Sequence, residues 1–371
     1  MTSRVRFRMA LNHEQPDRAP IDVGQDFHNG VHEVAYRNLL AYLGEADEIR
    51  LYDQMQHLAV VKESVLNRLH ADTRYVFAGA PAGFTLEFAP DGSWADEWGV
   101  RRKPCGYYDE ACFHPLAECD LAAVRAYRFP DPRDPVRFDG LRERVGKLHE
   151  STDYALIAGN PATLFYLTSE LVGFQEYMEK LPTDRIVIET LVDRMLEFWI
   201  EFFDVYLGLI GDKVEMVWMG DDWGTQQGPI IQPQLFSEIF IPRYRQFCSF
   251  VKQRAKVKIA LHSCGSIRWA LDDFAAAGID VIHPLQGDAA EMGAPEELKR
   301  RFGKQLVFYS NLCNQTVIPH GTPEQVKQDV LRKMHALAPG GGYVVSGGHN
   351  IQADVPPENI ISLFDTAAAA G

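Results

Sequence analysis

Cysteine is scarce in this chain. Only six occur in 371 residues, at positions Cys105, Cys112, Cys119, Cys248, Cys264 and Cys313. They lack the dense spacing of a disulfide-stapled secreted domain, so a reducing compartment is expected. Basic residues are outnumbered as well: 37 Lys and Arg stand against 51 Asp and Glu, a formal net charge of −14. That balance excludes a surface built for nucleic acid or anionic membrane, whose phosphates demand excess positive charge. No apolar run reaches membrane-spanning length. The first residues carry Arg4, Arg6, Arg8 and, further on, Arg18 without the apolar core of a signal peptide, so a cytoplasmic protein is expected. Repeats and low-complexity tracts are missing. So is a phosphate-cradling glycine loop, because Gly340-Gly341-Gly342 reads as a helix stop before a strand and no Lys-Ser or Lys-Thr follows it.

With 46% hydrophobic and 24% charged residues, the chain can bury a large core, as one elaborated α/β barrel or two smaller domains. Short runs rich in Val, Ile and aromatics alternate with helix-like stretches, the pattern that builds parallel sheets from βαβ units. Eight such runs stand out, at 19–23, 73–78, 154–159, 214–220, 257–262, 280–284, 306–311 and 342–347. They predict an α/β fold, a (β/α)8 TIM barrel formed by residues 1–371 as a single domain, with its active face at the C-terminal strand ends. A doubly wound sheet is the alternative. The second and third runs are too far apart for one helix. Between them, 84–88, the turn Pro90-Asp91-Gly92 and 94–102 predict a β-hairpin insertion over 83–116, beside the barrel mouth. Within it, Asp96-Glu97-Trp98 either line a pocket or belong to a solvated hairpin with aromatic packing.

The polar residues at the predicted C-terminal strand ends converge. They are Gln25, Asp26 and His28 after the first strand, Asn160 after the third, Asp221 and Asp222 after the fourth, and His262 and Cys264 after the fifth. Strands six to eight add His283, Gln286, Asn311, Cys313 and His349. Clustering of ionisable groups at one rim is what a barrel enzyme needs and a plain binding scaffold does not. Side chains alternate along a strand, so His262 and Cys264 project the same way, and His349 arrives from another strand to complete a metal-binding set. Zinc suits mixed imidazole and thiolate donors, and three protein ligands leave a position open for substrate. Cys313 is a rival third donor. Asp221 and Asp222 face different ways, so only one can point into the pocket, as a proton-handling group or a partner of a ligating His; helix capping explains such a pair equally well.

Pro16-Asp17-Arg18-Ala19-Pro20, Asn160-Pro161-Ala162-Thr163-Leu164, Gly220-Asp221-Asp222-Trp223-Gly224, His262-Ser263-Cys264-Gly265, Gly321-Thr322-Pro323-Glu324 and Gly348-His349 followed by Pro356-Pro357-Glu358-Asn359 carry a resemblance. Over almost its whole length the chain resembles the uroporphyrinogen decarboxylase superfamily. That family holds tetrapyrrole decarboxylases and zinc-dependent methyltransferases that work with corrinoid proteins, and the likeness implies a (β/α)8 barrel. Where true decarboxylases carry an Arg-rich stretch for substrate carboxylates, this chain has Val23-Gly24-Gln25-Asp26-Phe27. Gly79 stands where their catalytic Asp belongs, and Tyr166 matches their substrate-facing Tyr one position early.

The methyltransferase branch is the closer likeness. Its zinc is held by His-x-Cys and a later Cys, a position that falls here on His349. The resemblance thus implies zinc on His262, Cys264 and His349, with Asp221, Asp222 and His349 as catalytic groups. Gln25, Asp26, His28, Asn160, Tyr166, Gln286 and Asn311 would meet the substrate, a small methylated compound or a thiol or folate acceptor. No Asp-x-His-x-x-Gly corrinoid module is present, so cobalamin would arrive on a separate corrinoid protein. A homodimer is compatible with this reading. The alternative is a metal-free decarboxylase or carbon–carbon lyase.

Overall fold

The computed structural model describes residues 1–370. Twelve short strands are present: β1 (Leu51–Asp53), β2 (Leu58–Ala59), β3 (Thr73–Val76), β4 (Trp94–Ala95), β5 (Arg101–Cys105), β6 (Tyr108–Phe113), β7 (Ala155–Ala162), β8 (Met216–Gly220), β9 (Lys258–His262), β10 (Val281–His283), β11 (Val307–Tyr309) and β12 (Tyr343–Val344). Seven of them form one parallel sheet in the order β3-β7-β8-β9-β10-β11-β12. Helices Arg185–Ile210, Ile241–Arg254, Leu271–Ala277, Pro295–Phe302 and Pro323–Leu337 stand between successive strands from β7 to β12. Because parallel crossovers cover the sheet, its strands are apolar on both faces; Met216 to Gly220 are all buried.

The sheet curls. Tyr75, Ile157, Met216, Trp218, Ala260, Val281, Val307, Tyr309 and Val344 pack together on one face, closed at the bottom by Phe7 and Leu11 of the helix Ser3–Leu11. Their neighbours along each strand, such as Leu156, Val217, Ile259, Ile282 and Phe308, turn to the helices. The predicted first strand, 19–23, exists as a single parallel bridge of Ile21 to Val345. Its backbone still links the two sheet edges: Asp22 N–H donates to Val345 O at 2.9 Å, and Asp72 N–H donates to Ile21 O at 2.8 Å. A longer ladder is blocked because Pro20 has no N–H and Gly24, at φ +77°, turns the chain away. The buried Asp22 carboxylate anchors the segment, accepting from Tyr75 OH and Tyr309 OH at 2.7 Å each and from Asn29 Nδ2 at 2.6 Å.

The segment between β3 and β7 differs from the expected hairpin. Residues 84–88 form no ladder and are largely exposed, and the antiparallel three-stranded sheet is β4-β5-β6 instead. One side of β5 is taken by β6 and the other by two-residue β4, leaving no long edge for a further strand. The turn at Pro90-Asp91-Gly92 does form, closed by Ala89 N–H donating to Ser93 O at 2.8 Å. Trp98 packs among Phe129, Phe198 and Trp199, and Glu97 pairs with Arg137. Among the described residues, no helix is long and apolar enough to cross a membrane.

Candidate functional site

Register builds one layer of the site. Gly220 of β8 pairs with His262 of β9, which pairs with His283 of β10, so all three sit at the same height at the strands' C-terminal ends. A residue larger than Gly cannot stand at position 220, since a Cβ there would lie 2.0 Å from His28 Nε2. The His28 ring uses that space to stack on His262, with centroids 4.4 Å apart.

Beyond β9 the chain turns through Gly265, at φ +80°, and Cys264 projects beside His262, with Sγ 3.4 Å from Nε2. Backbone bonds pin that turn. Cys264 N–H donates to Asp222 Oδ1 at 2.8 Å, Gly265 N–H to Gln286 Oε1 at 2.8 Å, and Ser266 N–H to Thr225 O at 2.8 Å. His349, after the φ +81° turn at Gly348, brings its ring to 5.3 Å from that of His262. One donor atom each from His262, Cys264 and His349 lies within 4.8 Å of the others.

The spacing of the His262–Cys264 pair suits a zinc ion, with His349 within reach of both. Zn–S near 2.3 Å and Zn–N near 2.05 Å in a tetrahedron separate donors by about 3.5 Å, close to the 3.4 Å of the His262–Cys264 contact. Burial holds the His262 imidazole down to about 3 and, with help from His262, His349 down to about 4. Both rings are therefore neutral near pH 7, the form that lends a lone pair. The rival donor Cys313 points elsewhere, its Sγ 3.1 Å from Asp288 Oδ2 and 2.8 Å from Thr316 Oγ1.

The two adjacent aspartates divide their work. Asp221 is buried and caps the helix Phe165–Val172, accepting from the N–H groups of Leu164, Phe165 and Tyr166 at 2.8–3.1 Å and from Tyr244 OH at 2.6 Å. Burial pushes its carboxyl up to about 7 against the pull of those donors. Asp222 is half-exposed and stands at the cluster, with Oδ1 3.6 Å from His262 Nε2.

A cavity of about 280 Å³ opens over these groups. His28, Asp222, His262 and His349 form its base, Phe27, Met55, Tyr166 and Glu170 its sides, and Arg102, Tyr108, Asp109 and Glu110 of the three-stranded sheet overhang it. The family model described as uroporphyrinogen decarboxylase (URO-D) matches residues 112–370, well over half of the chain. The chain belongs to the uroporphyrinogen decarboxylase family. Uroporphyrinogen decarboxylases from Psychromonas ingrahamii and Alkalilimnicola ehrlichii are each 23% identical to it, over 62% and 68% of its length. The matched stretches span 63% and 67% of those proteins, in the first case less than two thirds. Among solved structures, a methyltransferase from Methanosarcina mazei shares the fold with a TM-score of 0.67 at 16% identity, covering 100% of this chain and 99% of its own.

Within this family member, His28, Tyr166, His262, His349 and both Asp221 and Asp222 line the cavity, whereas Cys264, beside His262, is not part of its wall. Five expected substrate contacts do not line it, because their polar groups hold backbone or other side chains. Gln25 donates to Val61 O at 2.8 Å, Asp26 accepts from the N–H groups of His28 and Asn29, and Asn160 accepts from Ala78 N–H. Gln286 holds Gly265, and Asn311 accepts from Lys333 Nζ at 2.8 Å while donating to Leu285 O. Asp96, Glu97 and Trp98 also stay out of the cavity wall. Sequence reasoning passed over Arg102, Tyr108, Asp109 and Glu170. The one usable signal was alternation: in Arg101-Arg102-Lys103 only the middle residue is buried, paired with Glu170 at 2.8 Å.

The overhanging sheet is fastened by a histidine. His57 stands with Nε2 2.9 Å from Asp109 Oδ1 and Nδ1 3.0 Å from Glu33 Oε1, while His32 stacks on its ring. Burial works against the imidazolium, but the bonds to Asp109 and Glu33 outweigh it and raise the His57 pKa. Only the doubly protonated ring donates to both carboxylates at once. The clamp's stabilisation is thus fully present below the usual histidine value of about 6.5 and is lost as pH rises through the raised value. Amide hydrogen exchange in β5 and β6, corrected for intrinsic rates, is expected to quicken from about pH 6 to about pH 8.5 in the native protein. In His57→Gln that difference should vanish; equal protection of the native sheet at both pH values would refute the clamp.

Proposed function

We propose that this chain is a zinc-dependent methyltransferase of the uroporphyrinogen decarboxylase family, working in the cytoplasm on a single (β/α)8 barrel whose first stave is residues 19–23. It would move a methyl group between a corrinoid carried by a separate protein and a small methylated compound, or a thiol or folate acceptor. The observation that carries this reading is the convergence of His262, Cys264 and His349 within 4.8 Å of one another, two of them, His262 and His349, lining the cavity. The methyltransferase name of the Methanosarcina mazei structure supports it.

His262 Nε2, Cys264 Sγ and a His349 ring nitrogen would hold the ion. Bound zinc supplies Lewis acidity and lowers the pKa of a thiol or oxygen brought to its open position. Asp222, half-exposed beside the cluster, would be the group placed to take up a proton from a thiol or hydroxyl acceptor. His28 shields one face of His262, and Asp221 fixes the helix that carries Tyr166 into the cavity wall. A volume of about 280 Å³ is at the low end for ligand pockets and suits a small substrate. The cavity wall bears more carboxylates than cations, Arg102 being engaged by Glu170, which disfavours a tetrapyrrole rich in carboxylates.

The curated relatives' names favour a second reading, a metal-free decarboxylase or carbon–carbon lyase in which His349 and an Asp stabilise a protonated intermediate. One experiment separates the two. Protein purified without chelator and dialysed against zinc is expected to retain a stoichiometric amount by elemental analysis and to demethylate methylcobalamin in the presence of a thiol. Retention of no zinc, or conversion of uroporphyrinogen to coproporphyrinogen, would overturn the proposal.

A further inference from the structure

We infer that His283 is a positioning residue: a neutral imidazole that accepts the His262 Nδ1 proton and so leaves His262 Nε2 bare to hold the metal. The inference rests on the zinc reading above and assigns a role to a side chain that touches neither the cavity nor the other two ligands.

The argument starts from register. Parallel pairing of β9 with β10 sets His283 directly beside His262, and the two Nδ1 atoms meet at 2.9 Å. A contact between two imidazole nitrogens holds one proton, donated by one ring to the lone pair of the other. Two arrangements exist. If His283 donates, His262 must carry its own proton on Nε2, the atom 3.4 Å from Cys264 Sγ, and that atom cannot ligate. If His262 donates, its Nε2 lone pair faces Cys264 and His349, as ligation requires. Only the second arrangement is compatible with zinc.

In that arrangement His283 does what a carboxylate or a backbone carbonyl usually does behind a ligating histidine. Its environment suits a neutral acceptor. The side chain is fully buried in the barrel interior, where Trp218 and Tyr309 meet its ring edge to face at centroid distances of 5.4 and 5.5 Å. These rings hold its plane. The other nitrogen, Nε2, is buried without a hydrogen-bond partner. It must carry the remaining proton whenever His262 is a ligand, so the orphaned N–H is the cost of presenting the correct nitrogen to the metal.

Nitrogen-15 NMR of zinc-loaded protein labelled at histidine tests this directly. The expected pattern for His283 is a protonated Nε2 and an unprotonated, hydrogen-bonded Nδ1. Two variants give a second readout through competition with a chromophoric chelator. His283→Leu, which removes the acceptor, should bind zinc roughly 10- to 100-fold more weakly, whereas His283→Gln, whose Oε1 can accept the same bond, should recover most of that loss. A protonated His283 Nδ1 in the loaded native protein would overturn the inference, as would equal zinc affinity in His283→Leu. If His283→Leu does not fold, the native spectrum and His283→Gln still decide. Native protein that takes up no zinc would refute both the inference and the functional proposal; zinc-loaded native protein with the wrong tautomer would refute the inference alone.

Discussion

Cys264→Ala is expected to lower zinc affinity by roughly 100- to 1000-fold while leaving the fold intact. Structural zinc sites with four protein ligands bind with about 10–16 kcal/mol of apparent free energy, or about 2.5–4 kcal/mol per ligand, and each 1.4 kcal/mol is tenfold. Cys264 supplies the only anionic donor of the set, so its loss should lie at the upper end. The fold should survive for a local reason. Its turn is held by backbone bonds to Asp222, Gln286 and Thr225, none of which involves the sulfur. The side chain is also only partly buried. A zinc competition titration run beside urea unfolding of the metal-free proteins checks both halves. Unchanged zinc affinity would remove Cys264 from the site, and a collapse of metal-free stability would show that the residue is structural.

Asp221→Ala should do the opposite, costing about 3–5 kcal/mol of stability before any question of chemistry arises. Its carboxylate accepts from three consecutive backbone N–H groups at a helix start and from Tyr244 OH, buried in every case but the part-buried N–H of Tyr166. These are donors that the helix cannot satisfy internally, and an anion at that end is favoured further by the helix dipole. Alanine leaves the donors orphaned and frees Tyr244 OH, which accepts from the Trp223 indole N–H at 2.8 Å. Asp221→Asn keeps an accepting oxygen and should lose about half as much. The shift in urea-unfolding midpoint measures both. A change in Asp221→Ala within ordinary surface-mutation range, about 0.5 kcal/mol, would contradict this account.

Much of the site was legible because it obeys strand periodicity. Two-residue alternation suggests one side for His262 and Cys264, although Cys264 lies just past the end of β9 in a turn that tertiary bonds hold, and a glycine before His349 marks a turn. The same logic separated Asp221 from Asp222, since neighbours along a strand end face apart. The amides sit outside the cavity wall for an equally physical reason. Gln25, Asn160, Gln286 and Asn311 do lie at the active rim, yet loops at that rim have unpaired backbone groups, and a side-chain amide with both donor and acceptor is what satisfies them. Whether such an amide serves a loop or a ligand depends on distances that spacing along the chain does not encode.

The insertion shows the same limit. Aromatic and turn residues around Pro90-Asp91-Gly92 announced β structure, but strand pairing is settled by which edges remain free, and Arg101–Cys105 found its partner in Tyr108–Phe113. The sequence by itself determined the α/β alternation, the acidic surface, and the identity of the His-x-Cys pair, because each follows from composition or local geometry. Tertiary structure alone decided that His349 rather than Cys313 meets that pair, that His283 stands behind His262, and that Arg102, Tyr108 and Asp109 overhang the cavity. Those contacts join positions from 21 to more than 100 residues apart, and they depend on strand register and chain closure, which only the folded sheet sets.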